Sequence, residues 1–140
     1  MDFEKEIELL KYQNKLLQAM VDGDTYPFFM FALNHNLNES QVNGILKILS
    51  VFKYRSDELN EKEFEEYSEK NIEDKNFLNE LGINIDILYS NELPTLTEFK
   101  VHIEKICDHT FEIKHLLLSL KKQNINSEIC TYLLNQNEDY

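Results

Sequence analysis

Apolar side chains recur at alternating spacings of four and three over the first 21 residues, a pattern typical of a helix that packs lengthwise against another helix. The residues of this heptad stripe are Ile7, Asn14 and Val21 at the a positions and Phe3, Leu10 and Leu17 at the d positions. A lone Asn at an a position lowers stability, but it can set register and oligomer state by pairing with its symmetry mate. Glu6 at g and Lys11 at the following e are placed for an ion pair between helices.

The heptad stripe leaves two interpretations open. It can form an interface with another copy of the chain, or it can be the apolar face of an ordinary amphipathic helix inside its own monomer. Leu9, Leu16 and Met20 widen the apolar surface, so the helix could contact two neighbours. Although the run is short for a coiled coil, we favour self-association and predict a homo-oligomer with the heptad stripe as its interface.

Helical periodicity continues through the rest of the chain. Only 3 Gly and 2 Pro occur among 140 residues, which argues against an all-β fold because such folds need many tight turns. Helices are expected at about 28–35, 39–54, 61–72, 95–107, 111–122 and 127–134. The sequence therefore predicts one all-α domain over residues 1–140, a compact helical bundle whose heptad-patterned first helix mediates oligomerisation.

Local signals mark several helix ends. The expected caps are Thr25 or Tyr26 before Pro27, Asn38 with Gln41, and Thr95 with Glu98. Residues 28–33 are apolar around most of the helix circumference, so we expect this helix to be the central buried element. Gly44 lies within an apolar stripe and predicts a close approach between helices.

The segment from about 56 to 93 differs in character, with twelve acidic and three basic residues. We predict an acidic excursion that could be mobile. Within it, residues 83–87 alternate between Ile and a polar residue, which could indicate a short strand. A single strand has no partner for its backbone, so a loop or short helix is favoured there.

The formal net charge of −12 argues against some classes of partner. It repels phosphate backbones and anionic membranes, which makes nucleic acid an unfavoured partner and leaves basic proteins as possible ones. The start of the chain is acidic, and no run approaches the roughly 20 apolar residues of a membrane span. We expect a cytoplasmic protein in which Cys107 and Cys130 are reduced, buried small hydrophobes.

No catalytic, cofactor-binding or metal-binding residue is predicted. His102 lies four residues after Glu98, but zinc sites need three or four converging ligands, so the histidines are expected to be exposed polar residues. A small metal-dependent hydrolase using His102, His109 and Asp108 is kept as an alternative. A second alternative is a helix-turn-helix-like nucleic-acid-binding regulator that would use Asn43, Lys47, Lys53 and Arg55.

An aromatic-Pro-Phe step follows the Leu-rich first helix. Its residues Tyr26 and Phe28, with Phe29, form a possible partner surface. The stretches that carry a family resemblance are Leu9-Leu10-Lys11-Tyr12-Gln13-Asn14-Lys15-Leu16-Leu17, Tyr26-Pro27-Phe28, Leu37-Asn38-Glu39-Ser40 and, toward the carboxyl end, Asp108-His109-Thr110-Phe111 through Leu133. In these the chain resembles the YhaI-like family of small Gram-positive bacterial proteins of unknown function.

The resemblance implies an all-helical, oligomeric protein with no assigned active site, so no functional residue is transferred from it. The chain departs from the family pattern at about 56–91, which is longer and more acidic here. Together these observations favour a non-enzymatic protein that acts through protein–protein interaction and could be a regulator.

Overall fold

The computed structural model describes residues 2–21, 24–57, 61–107 and 111–136. Within these residues every regular element is an α-helix, which confirms the all-α class. The helices are α1 (Phe3–Met20), α2 (Pro27–Asn34), α3 (Glu39–Ser56), α4 (Glu61–Lys70), α5 (Ile72–Glu80), α6 (Ile85–Leu88), α7 (Leu96–Ile106), α8 (Ile113–Lys122) and α9 (Ser127–Leu134).

The helix ends follow the local signals of the sequence. Tyr26 is the N-cap residue of α2, with Pro27 in its first turn. Asn38 and Gln41 form a reciprocal capping box, in which each side chain accepts a hydrogen bond of 2.9 Å from the other residue's backbone N–H. Thr95 Oγ1 accepts a bond from the Glu98 backbone N–H at 3.0 Å. The N-cap residues are confirmed because they depend only on residues a few positions apart, but of the two expected capping boxes only that of Asn38 and Gln41 has both bonds.

Helix α3 is the central element of the core. Ile45, Ile48, Leu49 and Phe52 have no exposed area, and α3 packs against α5, α6, α7 and α9. The expectation that α2 would be the central element is wrong, because only Phe28 and Phe31 of that helix are buried and its outer side is exposed. Helix α2 packs chiefly along α8, which covers one side of it and leaves the other side exposed.

Gly44 marks a close approach, as expected. A Cβ atom at this position would lie 2.9 Å from Leu81 Cδ1 and 3.1 Å from Ile106 Cδ1. Both distances are shorter than ordinary van der Waals contact between carbon atoms. The absent side chain therefore lets α3 approach the end of α5 and the end of α7.

The acidic segment is helical and contributes to the core. Leu78 and Leu88 have no exposed area and Ile83 is 2% exposed, while the acidic side chains of α4 and α5 are exposed or half-buried where they are described. Ile85–Leu88 is a short helix capped by Asn84, as favoured over a strand. The mobility of this segment stays a prediction.

One apolar cluster unites the chain from α2 to α9. Its buried members come from α2, α3 and α5–α9 with the connections between them, and Tyr67 of α4 packs against it. No residue of α1 belongs to it. None of the described helices is both long enough and apolar enough to cross a membrane.

Candidate protein–protein interface

Helix α1 is built from local interactions. Asp2 caps its start by accepting a hydrogen bond of 3.3 Å from the Lys5 backbone N–H. The helix runs for 18 residues to Met20, and the N–H of its C-cap residue Val21 donates to the carbonyls of Leu17 and Gln18. None of its 18 residues is buried. The apolar side chains of α1 therefore do not belong to the core of their own chain.

The whole heptad stripe is exposed. The apolar members Phe3, Ile7, Leu10, Leu17 and Val21 are 40% to 67% exposed, and Asn14 is exposed as well. Side chains of this size usually contribute to a core rather than to a solvated helix face. A contiguous row of them on one helix face is therefore a candidate interaction surface.

Helix α1 carries a second apolar stripe. Its members are Leu9, Leu16 and Met20, which are also exposed. At 100° per residue these side chains point about 120° away from the centre of the heptad stripe. The polar side chains Glu6 and Gln13 lie between the two stripes, so the helix has two separate apolar faces rather than one broad face.

The predicted partner surface at α2 is divided by the fold. Tyr26 and Phe29 are about half exposed, and their rings stack with centroids 6.0 Å apart. Phe28 has no exposed area and belongs to the core, so its inclusion in the partner surface is wrong. The Gln123 side chain fixes this turn, because its Oε1 accepts hydrogen bonds from the N–H groups of Phe28 at 2.8 Å and Phe29 at 3.1 Å.

A buried polar cluster joins α3 to α7. Arg55 binds Glu98 through two hydrogen bonds of 2.6 and 2.9 Å. It also donates to the carbonyls of Glu92 at 2.9 Å and Leu88 at 3.2 Å. His102 Nε2 lies 2.9 Å from Glu98 Oε2, and only 2% of this histidine is exposed. The expectation of an exposed His102 is wrong. Its ring can be buried because it binds the Glu98 carboxylate, which Arg55 also binds.

The environment of Glu98 favours its charged form. Burial of the carboxylate opposes ionisation, but the hydrogen bonds from His102 and Arg55 and the positive charge of Arg55 outweigh it, and the pKa of Glu98 is lowered from 4.5. With its carboxylate bound to these two side chains, Glu98 does not complete the reciprocal half of the capping box with Thr95. The cluster ties α7 to α3, and its side chains are mostly buried.

The side chains proposed for groove reading are largely engaged within the fold. Arg55 is buried in the cluster just described, and Lys47 Nζ binds Asp74 Oδ1 at 2.7 Å. Asn43 and Lys53 are exposed. Two of the four side chains on which the helix-turn-helix alternative depends are therefore already paired.

The remaining candidates for chemistry are scattered. His115 is exposed as expected, 3.7 Å from Glu112, and His35 is exposed with its ring against Phe31. Asp108 and His109 lie outside the described residues. Among the residues that are described, no three His, Cys, Asp or Glu side chains converge in a way that could hold a metal ion.

Both cysteines are buried and free, as expected for small hydrophobes. Burial raises the pKa of the Cys107 thiol. Burial also raises the pKa of the Cys130 thiol to about 12, although the charge of Lys121 partly opposes it. Neither thiol is in the reactive thiolate form near neutral pH.

A tyrosine cluster between α3, α4 and α6 was not expected from the sequence. The rings of Tyr54 and Tyr67 stack at 3.8 Å, and Tyr67 and Tyr89 line a cavity of about 240 Å³ together with Ser50 and Asp74. The Tyr89 hydroxyl is buried and has no hydrogen-bond partner in the part of the chain that the structure describes. Its pKa is raised to about 12 by burial and by the charge of Asp74. Widely spaced tyrosines give no sequence pattern that would have revealed this cluster.

A scan against protein-family models matches residues 1–136 to DUF1878, a family of proteins of unknown function. The chain belongs to this family. No curated protein and no solved structure matches.

Membership in DUF1878 confirms the expectation of a family without an assigned function, while the YhaI-like name and a Gram-positive origin stay predictions. The DUF1878 match includes α1, so the helix with the heptad stripe lies within the region that the family model covers.

Proposed function

We propose that this DUF1878 protein is a non-enzymatic interaction protein that self-associates through α1. The observation that carries the proposal is the exposure of the complete heptad stripe on a helix with no buried residue. In this proposal α2–α9 form a helical bundle, and α1 joins that bundle to another copy of the chain.

The physical chemistry of α1 supports a partner for it. Helices of about 12–15 residues are marginal in water on their own, and most helical stability in proteins comes from packing an apolar face. Helix α1 is only slightly longer, at 18 residues, and none of its residues is buried within the monomer. Burial of the heptad stripe against a second copy would supply the missing stabilisation.

Two double variants test which apolar face of α1 is the interface. Leu10→Ser with Leu17→Ser removes apolar side chains from the heptad stripe. The matched control, Leu9→Ser with Leu16→Ser, makes the same chemical change one residue earlier, at leucines of similar exposure. Light scattering coupled to size exclusion should show an oligomer for the wild type and the control, and a monomer for the heptad variant.

The measurement should cover roughly 1 µM to 1 mM, because a short coiled coil dissociates on dilution. A wild type that stays monomeric over this range would remove the proposal. Equal behaviour of the two variants would show that the heptad stripe is not the interface. All four leucines lie outside the core, so the thermal unfolding of α2–α9 serves as the check that both variants are folded.

We further propose that a dimeric or larger assembly acts in the cytoplasm on a basic protein. The support for this is the net charge of −12 together with free, buried thiols. A pull-down from a cognate lysate with wild-type protein, repeated at high salt, tests it. A basic protein captured at low salt and released at high salt is the expected result, and capture of this chain alone would count against it.

A further inference from the structure

We infer that α1 pairs with α1 of a second copy as a parallel, in-register, two-stranded coiled coil. The inference rests on the proposed self-association and adds the number of strands and their direction. Both are decided by which side chains the two possible orientations would bring together.

The a and d positions favour two parallel strands. The apolar a residues Ile7 and Val21 are β-branched, and leucine fills the d positions after Phe3, at Leu10 and Leu17. This combination is the one that favours parallel dimers over larger assemblies. Asn14 at the central a position would face the partner's Asn14, where the two exposed amides can hydrogen-bond to each other.

In an antiparallel pair, Asn14 would have no amide opposite it in the other helix to hydrogen-bond with. In antiparallel coiled coils a residues face d residues, so full overlap of the two helices sets Ile7 against the partner's Leu17. The same register sets Asn14 against the partner's Leu10. An amide buried against an aliphatic side chain loses its hydrogen bonds to water and gains none.

The flanking charges favour the same direction. In a parallel pair each g residue faces the next e residue of the other helix, so Glu6 meets the partner's Lys11, and this pairing occurs twice in the dimer. Gln13 and Gln18 occupy the next such positions and can pair through their amides. In the antiparallel register Lys11 would instead face the partner's Lys11.

Parallel pairing also places both copies of α2–α9 at the same end of the coil. Tyr26 follows Val21 by five residues, so it lies within roughly 18 Å of the end of α1. The exposed Tyr26 and Phe29 of each copy would then lie near the base of the coil, where they can extend its apolar contact. Leu9 and Leu16, at c positions, remain on the outer surface of a two-stranded coil.

Single cysteines in α1 test the direction. Ile7→Cys and Leu17→Cys are each oxidised alone and as an equimolar mixture in which one of the two carries a tag that changes its mass. A disulfide needs Cα atoms within about 7 Å, whereas positions 7 and 17 of parallel helices are about 15 Å apart. Wild-type protein is the control, because Cys107 and Cys130 are buried.

Each variant should cross-link with itself, and the mixture should give no disulfide between positions 7 and 17. Cross-linking only between positions 7 and 17 would establish an antiparallel pair and overturn the inference, while self-association through α1 would stand. A wild-type mass above two chains of 16.7 kDa would overturn the two-stranded assignment. A monomeric wild type would instead remove the proposed function itself.

Discussion

Replacing Arg55 with methionine removes a buried charge while keeping a side chain of similar length against Phe52. The Arg55 side chain has no exposed area, and Glu98 is 16% exposed. The variant loses the two bonds to Glu98 and both bonds to the backbone carbonyls of Leu88 and Glu92. Among the described residues it therefore leaves His102 as the one side chain bound to a mostly buried carboxylate.

Removal of one partner of a buried ion pair costs about 3–5 kcal/mol. Because Glu98 keeps some contact with water and with His102, we expect the lower end, about 3 kcal/mol. At roughly 2–4 °C per kcal/mol for a chain of this size, the melting temperature should fall by about 10 °C. Urea unfolding followed by circular dichroism measures the free energy of unfolding. All variants are compared at one fixed protein concentration, because the proposed self-association would contribute to stability.

Lys53→Met is the matched control, since it removes an exposed cation two residues earlier on the same helix. It should change the free energy of unfolding by about 0.5 kcal/mol or less. Glu98→Gln completes a double-mutant cycle in which the double variant should be less destabilised than the sum of the two single variants. A loss below about 1 kcal/mol for Arg55→Met, or simple additivity in the cycle, would refute the assignment of this cluster as a buried ion pair.

Three further predictions concern pH, packing and assembly. The pKa of Glu98 is lowered in the folded state, so its stabilising effect is present above pH 4.5 and is lost as pH falls below; the wild-type melting temperature should drop more between pH 6 and 3 than that of Glu98→Gln. Gly44→Ala should destabilise by about 1 kcal/mol in urea unfolding, because overpacking at its two close neighbours exceeds the gain in helix propensity. Asn14→Leu should give a changed or mixed oligomeric state in light scattering, since the asparagine restricts the allowed assemblies; an unchanged state would contradict its position in the interface.

The buried cluster of Arg55, Glu98 and His102 could not be predicted from the sequence. Arg55 and Glu98 are 43 residues apart, and nothing in the sequence around either residue pairs it with the other. Charged residues are rarely buried unless paired, so exposure is the reasonable expectation for each side chain alone. Only the crossing of α3 and α7 brings them together, and His102 is buried as a consequence.

For helix α2, too, the sequence predicted one property and the packing decided another. Its apolar composition correctly predicts a buried face but cannot show how much of the helix is surrounded. The packing of α2 along α8 decides that Phe28 is buried and that Phe29 is exposed, although the two residues are adjacent in sequence.

The sequence by itself determined the all-α class, the approximate ends of the helices, the capping box at Asn38 and the heptad stripe of α1. These features depend on side chains within one or two helical turns, where hydrogen bonds and spacing are set by the chain itself. Only the tertiary structure decided which apolar faces are covered, because coverage depends on residues distant in sequence. It placed α3 at the centre, buried Arg55 with Glu98, and left the heptad stripe of α1 exposed.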